Sequence, residues 1–365
     1  MKQQMKRMPF GGDIESKAVL KRLSSAHRAL AELKGVVKSI PNQEILINTL
    51  SLQEAKDSSA IENIITTHDD LYRETVLPDR VDQLAAKEVR RYAAALRLGF
   101  SLVRNEGLLR KTTILTIQAE LEKNSAGFRK LPGTVLKNGA GDVVYTPPQD
   151  AAEIESLMDN LERYINEPGL DDLDALVKMA LIHFQFESIH PFYDGNGRTG
   201  RIINILYLAQ RGLLDLPVLY LSRFIVRNKA EYYRLLQGVR EQGFWEEWVL
   251  YMLDGVEQTA RQTMQVVEQI GALMKNVKHQ LRENCAFYSK DLLDALFVHP
   301  YTKVEFMQQA LGVSRQTAQR YLAALTADGV LSRHGIGRAN YYVNTALYEL
   351  LLNLPPLDIK TAKKS

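Results

Sequence analysis

His190-Pro191-Phe192-Tyr193-Asp194-Gly195-Asn196-Gly197-Arg198-Thr199-Gly200-Arg201 is the stretch that decides the reading of this 365-residue chain. It joins two helical patterns. Upstream, apolar residues recur at three- and four-residue intervals from Asp172 to Phe186, with Leu176, Met179, His183 and Phe186 on one face. Downstream, a second pattern runs from Arg198 to Gln210 and stops at Gly212. The glycines flanking Asn196 let backbone amides approach a ligand closely, and the start of the next helix adds unpaired N–H groups and a positive dipole end. Together they make an anion nest. Arg198 and Arg201, three residues apart on the first helical turn, can turn both guanidinium forks toward one anion, for which a polyphosphate is the natural guest. Asp194 is a hard oxygen ligand of the kind Mg²⁺ takes while keeping water and phosphate oxygens. His190 is the residue able to accept a proton near neutral pH.

Other phosphate-binding patterns are excluded. There is no Gly-x-x-x-x-Gly-Lys-Ser/Thr, and no strand precedes the glycines as a dinucleotide fingerprint requires. His183, seven residues before His190, reads as a satisfied core histidine rather than a second metal ligand, because its helical face is apolar. Composition is that of an ordinary globular protein, 45% apolar and 24% charged with a net charge of +3, so charge alone names no partner. The single cysteine, Cys285, leaves no internal disulfide framework or multi-thiolate zinc site and fits a reducing compartment, with a cytoplasmic location the simplest expectation. No apolar stretch approaches a membrane span, and MKQQMKRMPF lacks the apolar core of a signal peptide.

Working outward, Ser16 to Leu109 reads as amphipathic helices. Gly and Pro then punctuate two β-branched runs, TVL and DVVYT, joined by the turn-prone Lys137-Asn138-Gly139-Ala140-Gly141, so a β-hairpin is expected from Leu131 to Thr146. Helical periodicity resumes from Ala151 to Asn166. A long polar helix around Gln269 to Glu283 is the expected connection to a C-terminal module of three helices and a two-stranded wing. In it Gly312 turns the chain, Ser314 caps and Gly329 ends a helix. That order resembles winged-helix domains. Arg315, Gln316, Gln319 and Arg320 would open a recognition helix, with Arg333 and Arg338 near the wing, so DNA is one candidate partner and protein contact or dimerisation the other.

HPFYDGNGRTGR resembles the signature of the Fic family, His-Pro-Phe-x-Asp/Glu-Gly-Asn-Gly-Arg-x-x-Arg, at every signature position, and the similarity extends over most of Thr112 to Leu253. The resemblance implies a mainly α fold: a helical N-terminal region over 1–110, a Fic core with a β-hairpin flap over 111–265, a helical linker over 266–288 and a winged helix over 289–365. It implies transfer of AMP from ATP to Ser, Thr or Tyr hydroxyls of a target protein or of the chain itself, with Mg²⁺ or Mn²⁺ held by Asp194 and His190 as general base. The run from Gly195 through Asn196, Gly197, Arg198, Thr199 and Gly200 to Arg201 would hold ATP. Tyr232 and Tyr233 would sit near the adenine, and Val135, Leu136, Lys137 and Asn138 of the flap would touch nucleotide or target. Ser58, Glu62 and Asn63 are similar to the family's inhibitory Ser/Thr-x-x-x-Glu-Gly/Asn motif, whose glutamate would compete for Arg201. In some members that glutamate supports removal of AMP. The alternatives are a DNA-binding regulator whose Fic core senses nucleotide without turnover, or transfer of UMP, GMP or phosphocholine. Oligomeric state is left open, a homodimer included.

Overall fold

The computed structural model describes residues 5–12, 14–76, 84–336 and 339–357. Among them the chain is overwhelmingly helical, with fifteen helices and two small sheets. Helices α1 (Lys17–Val37), α2 (Gln43–Ile61), α3 (His68–Val76) and α4 (Leu84–Glu106) form the N-terminal region. Helix α5 (Lys111–Glu122) leads into strands β1 (Leu136–Lys137) and β2 (Val143–Tyr145), and α6 (Ala151–Asn166) follows. At the centre lie α7 (Ala175–Ile189) and α8 (Asn196–Gln210). Every residue of α7 from Leu176 to Ile189 is buried, so this helix has no exposed face and is enclosed by neighbours that include α6, α8 and α11. It starts later than the expected Asp172. Asp174 is its N-cap, accepting from Leu176 N at 2.8 Å, while Asp171 bonds Tyr164 and Lys178 instead. Helix α8 begins at Asn196, two residues before the expected start, because Gly195 adopts the left-handed conformation there and launches the helix itself.

Helices α9 (Leu221–Arg227) and α10 (Lys229–Gln242) lead to α11 (Trp245–Asn284), a single helix of 40 residues. The expected polar linker is therefore the far half of a longer, partly buried rod. Val256, Ala260, Thr263, Val267, Ile270, Met274, Val277 and Leu281, spaced alternately by four and three, all turn inward. The C-terminal unit comprises α12 (Lys290–Val298), β3 (Tyr301–Thr302), α13 (Val304–Leu311), α14 (Arg315–Ala327), β4 (Ser332–Ile336), β5 (Ala339–Val343) and α15 (Thr345–Leu352). Its sheet has three strands in the order β3-β5-β4, not the two expected. The extra strand is only two residues long, too short for a periodic signal, and pairs Tyr301 with Val343. Gly312 and Gly329 have positive φ, and Ser314 caps α14 by accepting from Thr317 N, as expected. This unit packs on the N-terminal region: Tyr301 donates to Asp69 at 2.7 Å and stacks on Tyr72, and Gln53 of α2 donates to the Leu351 carbonyl. No helix among the described residues is long and apolar enough to cross a membrane.

Candidate functional site

The loop between α7 and α8 is built by its own backbone. His190 closes α7 in a left-handed conformation, φ 49° and ψ 58°, with its N–H donating to the Phe186 carbonyl at 2.9 Å. Asn196 then staples the loop: its Oδ1 accepts from Phe192 N and its Nδ2 donates to Phe192 O, both at 2.8 Å. The Asn196 side chain is thus committed to loop geometry, and what it offers a ligand is its place at the start of α8. Gly195, at φ 76°, would bring a Cβ within 2.3 Å of Glu122 Oε1. At Gly197 a Cβ would lie 2.2 Å from Glu62 Oε1. Gly195 also needs its left-handed backbone, whereas at Gly197 the Glu62 carboxylate would have to shift to admit a Cβ. The opening amides of α8 have no helical acceptor and add the helix's positive end. Thr199 and Gly200 are wholly buried, and the Thr199 hydroxyl has no hydrogen-bond partner. Asp194 is exposed; one carboxylate oxygen accepts from Gly195 N at 2.7 Å.

His190 is half-buried. Burial, then the charge of Arg129, push its imidazole down to about 4, so the ring is neutral at physiological pH. Its Nδ1 is buried without a close hydrogen-bond partner. A neutral imidazole is the form that accepts a proton.

The two arginines do not converge on one partner. Three residues along a helix leave their directions about 60° apart, and each meets different carboxylates. Arg198, 4% exposed, donates to Glu122 Oε1 of α5 at 2.8 Å and to Glu88 Oε2 of α4 at 3.3 Å. Arg201, 2% exposed, donates through Nη2 to Glu62 Oε1 at 2.8 Å and the Ser58 carbonyl at 3.0 Å, and through Nε to Ser58 Oγ at 2.7 Å. Burial pushes Glu62 up. The charge and hydrogen bond of Arg201 outweigh it, with Arg198 and His190 adding, and hold the carboxyl below its usual range. Behind the pair, burial raises Glu187 to about 7 against the pull of Arg201, and Glu187 Oε1 has no partner.

Asn63 explains how Glu62 is aimed. Helix α2 ends in a Schellman turn: Ile64 N donates to Ser59 O at 3.0 Å and Asn63 N to Ala60 O at 3.1 Å, with Asn63 left-handed at φ 63°. Glu62 is the residue that closes the helix, and asparagine is among the few residues other than glycine that take the next position readily.

The hairpin is smaller than expected. Leu136 pairs with Tyr145 and Lys137 with Val143, and Asn138 Oδ1 closes the turn by accepting from Ala140 N and Asp142 N. Val135, Lys137 and Asn138 are exposed, Leu136 half-buried, and Val143 and Val144 lie open on the other strand. Of the two tyrosines, Tyr232 is 1% exposed and bonds His183 Nε2 at 2.8 Å within a cluster including Trp248 and Tyr251, whereas Tyr233 is 47% exposed. Tyr232 thus packs in the core, and Tyr233 is the one whose ring is open to solvent. His183 is wholly buried, with its other ring nitrogen 3.1 Å from Asn204 Nδ2. In the C-terminal unit Arg315, Gln316, Gln319, Arg320 and Arg333 are exposed, Arg315 pairing with Glu305 at 3.0 Å. Arg338 lies outside the described residues.

Sequence reasoning missed Glu88, Glu122, Arg129, Glu187 and Arg240. None belongs to a spacing pattern, and only the fold brings them to the loop.

Three family models match in succession and between them cover most of the chain: the Fic/DOC family N-terminal model over residues 20–101, the Fic/DOC family model over 108–208, and the C-terminal domain of SoFic-like protein adenylyltransferases over 258–347. The chain belongs to the Fic/DOC family. Protein adenylyltransferase Fic of Drosophila melanogaster and of Drosophila erecta are each 30% identical over 112 residues, 31% of this chain and 21% of theirs. The chain thus matches about a fifth of the length of these curated relatives. Among solved structures, a Fic family protein from Desulfovibrio desulfuricans superposes with a TM-score of 0.58 at 20% identity, covering 93% of this chain and 98% of that one. Residues 134–508 of Fic-1 from C. elegans superpose at 0.52 and 20% identity, covering 69% of this chain and 73% of that one.

Proposed function

We propose that the chain is a protein adenylyltransferase that transfers AMP from ATP to protein hydroxyls, and that the state described above is its inhibited form. The observation that carries this reading is Arg201, fully buried and claimed by Glu62 and Ser58 beside a neutral His190. In transfer, His190 takes the proton of the acceptor hydroxyl as its oxygen attacks the α-phosphorus, and pyrophosphate leaves. The α8 amides and the two arginines hold the leaving phosphates, which requires that Glu62 yield Arg201. Among the described residues no three His, Cys, Asp or Glu side chains gather to hold a metal alone. One exposed carboxylate, Asp194, fits Mg²⁺ or Mn²⁺ shared with phosphate oxygens, which when bound would neutralise phosphate charge. The flap's open edge suits backbone pairing with an extended segment of the acceptor protein. The C-terminal unit, with its helices and three-stranded sheet, would serve as an accessory module.

The test is incubation of wild type, Glu62→Gly and His190→Ala with Mg²⁺ and α- or γ-labelled ATP. Label on protein from the α position alone, absent in His190→Ala, supports AMP transfer. No label in any variant, with ATP still bound, would overturn it in favour of a nucleotide-sensing regulator.

A further inference from the structure

The flap is a short hairpin with an open tip, yet its two roots are tied to each other, to the catalytic loop and to the end of α7. At the entry, Arg129 N donates to Pro191 O at 2.8 Å, and the next two amides, Lys130 and Leu131, donate to the Tyr193 hydroxyl at 2.9 and 3.2 Å. At the exit, the Tyr145 hydroxyl donates to Ser188 O at 3.0 Å, under the guanidinium of Arg240. Gln149 bridges the roots, accepting from Gly133 N at 2.6 Å and donating to Thr134 O at 2.9 Å.

One side chain joins all three pieces. Arg129 is 1% exposed, and its fork donates through Nε to His190 O at 2.7 Å and through Nη2 to Pro148 O at 2.5 Å and Ile189 O at 3.3 Å. Entry root, exit root and the end of α7 therefore meet on a single guanidinium. Two of its acceptors, Ile189 O and His190 O, are terminal carbonyls of α7 that no helical amide satisfies, at the end of the helix where a cation is favoured. The left-handed backbone of His190 costs energy for a residue with a Cβ and persists only where its surroundings impose it. Arginine's planar fork reaches carbonyls in several directions at once, which a lysine ammonium on a flexible stem does not reproduce.

We propose that Arg129 is a positioning residue that locks the backbone of His190 and both roots of the flap into one register, so that an acceptor strand paired to the flap presents its hydroxyl to the imidazole. The assignment rests on the transfer reading above. Its charge has a second effect. The groups facing the His190 ring are Arg129 from the flap root, Glu62 from α2, Arg240 from α10 and the backbone of Glu187 in α7. Burial and the two arginines hold the ring neutral against the opposite pull of Glu62 and Glu187.

The test uses the full chain carrying Glu62→Gly, alone and with Arg129→Met or Arg129→Lys. Five quantities are read: the His190 imidazole titration by NMR, hydrogen exchange at the amides of Lys130, Leu131 and Gly133, ATP affinity by calorimetry, the melting temperature, and kcat for AMP transfer. With methionine the imidazole midpoint moves up and those amides exchange at least about tenfold faster, while ATP affinity stays within about threefold. The rate falls on the order of 100-fold, as for a small misplacement of reacting groups. With lysine the midpoint stays low but amide protection and most of the rate are still lost. Unchanged protection in both variants overturns the proposal. So does loss of ATP affinity together with thermal stability, which would make Arg129 a general core residue. If methionine prevents folding, the lysine variant decides. The titration and exchange do not require turnover, so a chain that proves to transfer no AMP leaves the positioning claim decided on its own.

Discussion

Replacing Glu62 by glycine removes the carboxylate that holds Arg201 without disturbing the helix, because Glu62 lies at the end of α2 with φ −87°, a conformation glycine adopts freely. The hydrogen bond lost joins two charged groups at 2.8 Å. Such a bond contributes about 1.5–3 kcal/mol. Arg201 is buried, but the Glu62 side chain is 36% exposed, and screening at that exposure brings the figure toward about 1–2 kcal/mol. If productive ATP binding must first break this bond, its removal raises AMP transfer by roughly 5- to 30-fold, at about tenfold per 1.36 kcal/mol. Glu62→Gln should gain less, since the amide keeps the bulk that now crowds Gly197 and can still accept from Arg201. The assay is the initial rate of label incorporation from α-labelled ATP below saturation, with His190→Ala as the silent reference. A Glu62→Gly rate within twofold of wild type, while His190→Ala abolishes label, would refute the brake and leave the transferase standing.

Asn63→Val should act like a weaker Glu62→Gly, because a β-branched residue resists the left-handed Schellman position and loosens the last turn of α2. Transfer rises severalfold while Asn63→Gly stays at the wild-type level, and equal rates for the two would contradict this. In Glu62→Gly, kcat should be nearly flat from pH 7.5 to 5.5, since a base whose imidazole is depressed to about 4 is lost only as pH approaches that value; a midpoint near 6.5 would show that the ring titrates as if exposed. Wild type should stay inhibited across the same range. A carboxyl held below its ordinary range keeps its ion pair at every pH above that range and gives it up only in stronger acid. Gly195→Ala should cost about 1–3 kcal/mol, from its positive φ and the clash with Glu122, and abolish transfer; an unchanged melting temperature would refute this account of the turn.

Local signals in the sequence carried far. The limits of α6, the caps and glycine turns of the C-terminal unit, and the loop between α7 and α8 all follow from residues within a few positions of one another. What depended on distant partners was not legible. The inward stripe of α11 keeps its four-three spacing beyond Gln269, but glutamines, lysines and glutamates between the stripe residues mask it. The separation of Arg198 from Arg201 is set by α4 and α5 on one side of α8 and α2 on the other. Arg129, in a loop without periodicity, has neighbours up to 62 positions away. Tyr232 and Tyr233 are adjacent in sequence, and only packing against His183 and Trp248 divides core from surface.

The Schellman turn at Asn63 has a thermodynamic consequence. A carboxylate at mid-helix could leave Arg201 only by unwinding turns on both sides, whereas one at a helix terminus needs only the fraying of the final turn. The two settings that the proposed brake requires would then differ by a few backbone hydrogen bonds and one ion pair. A partner present at about a hundred times its dissociation constant supplies about 2.7 kcal/mol to whichever setting it selects. That is of the same order as the proposed latch, so under that reading occupancy by a single binding partner would tip the population from resting to competent.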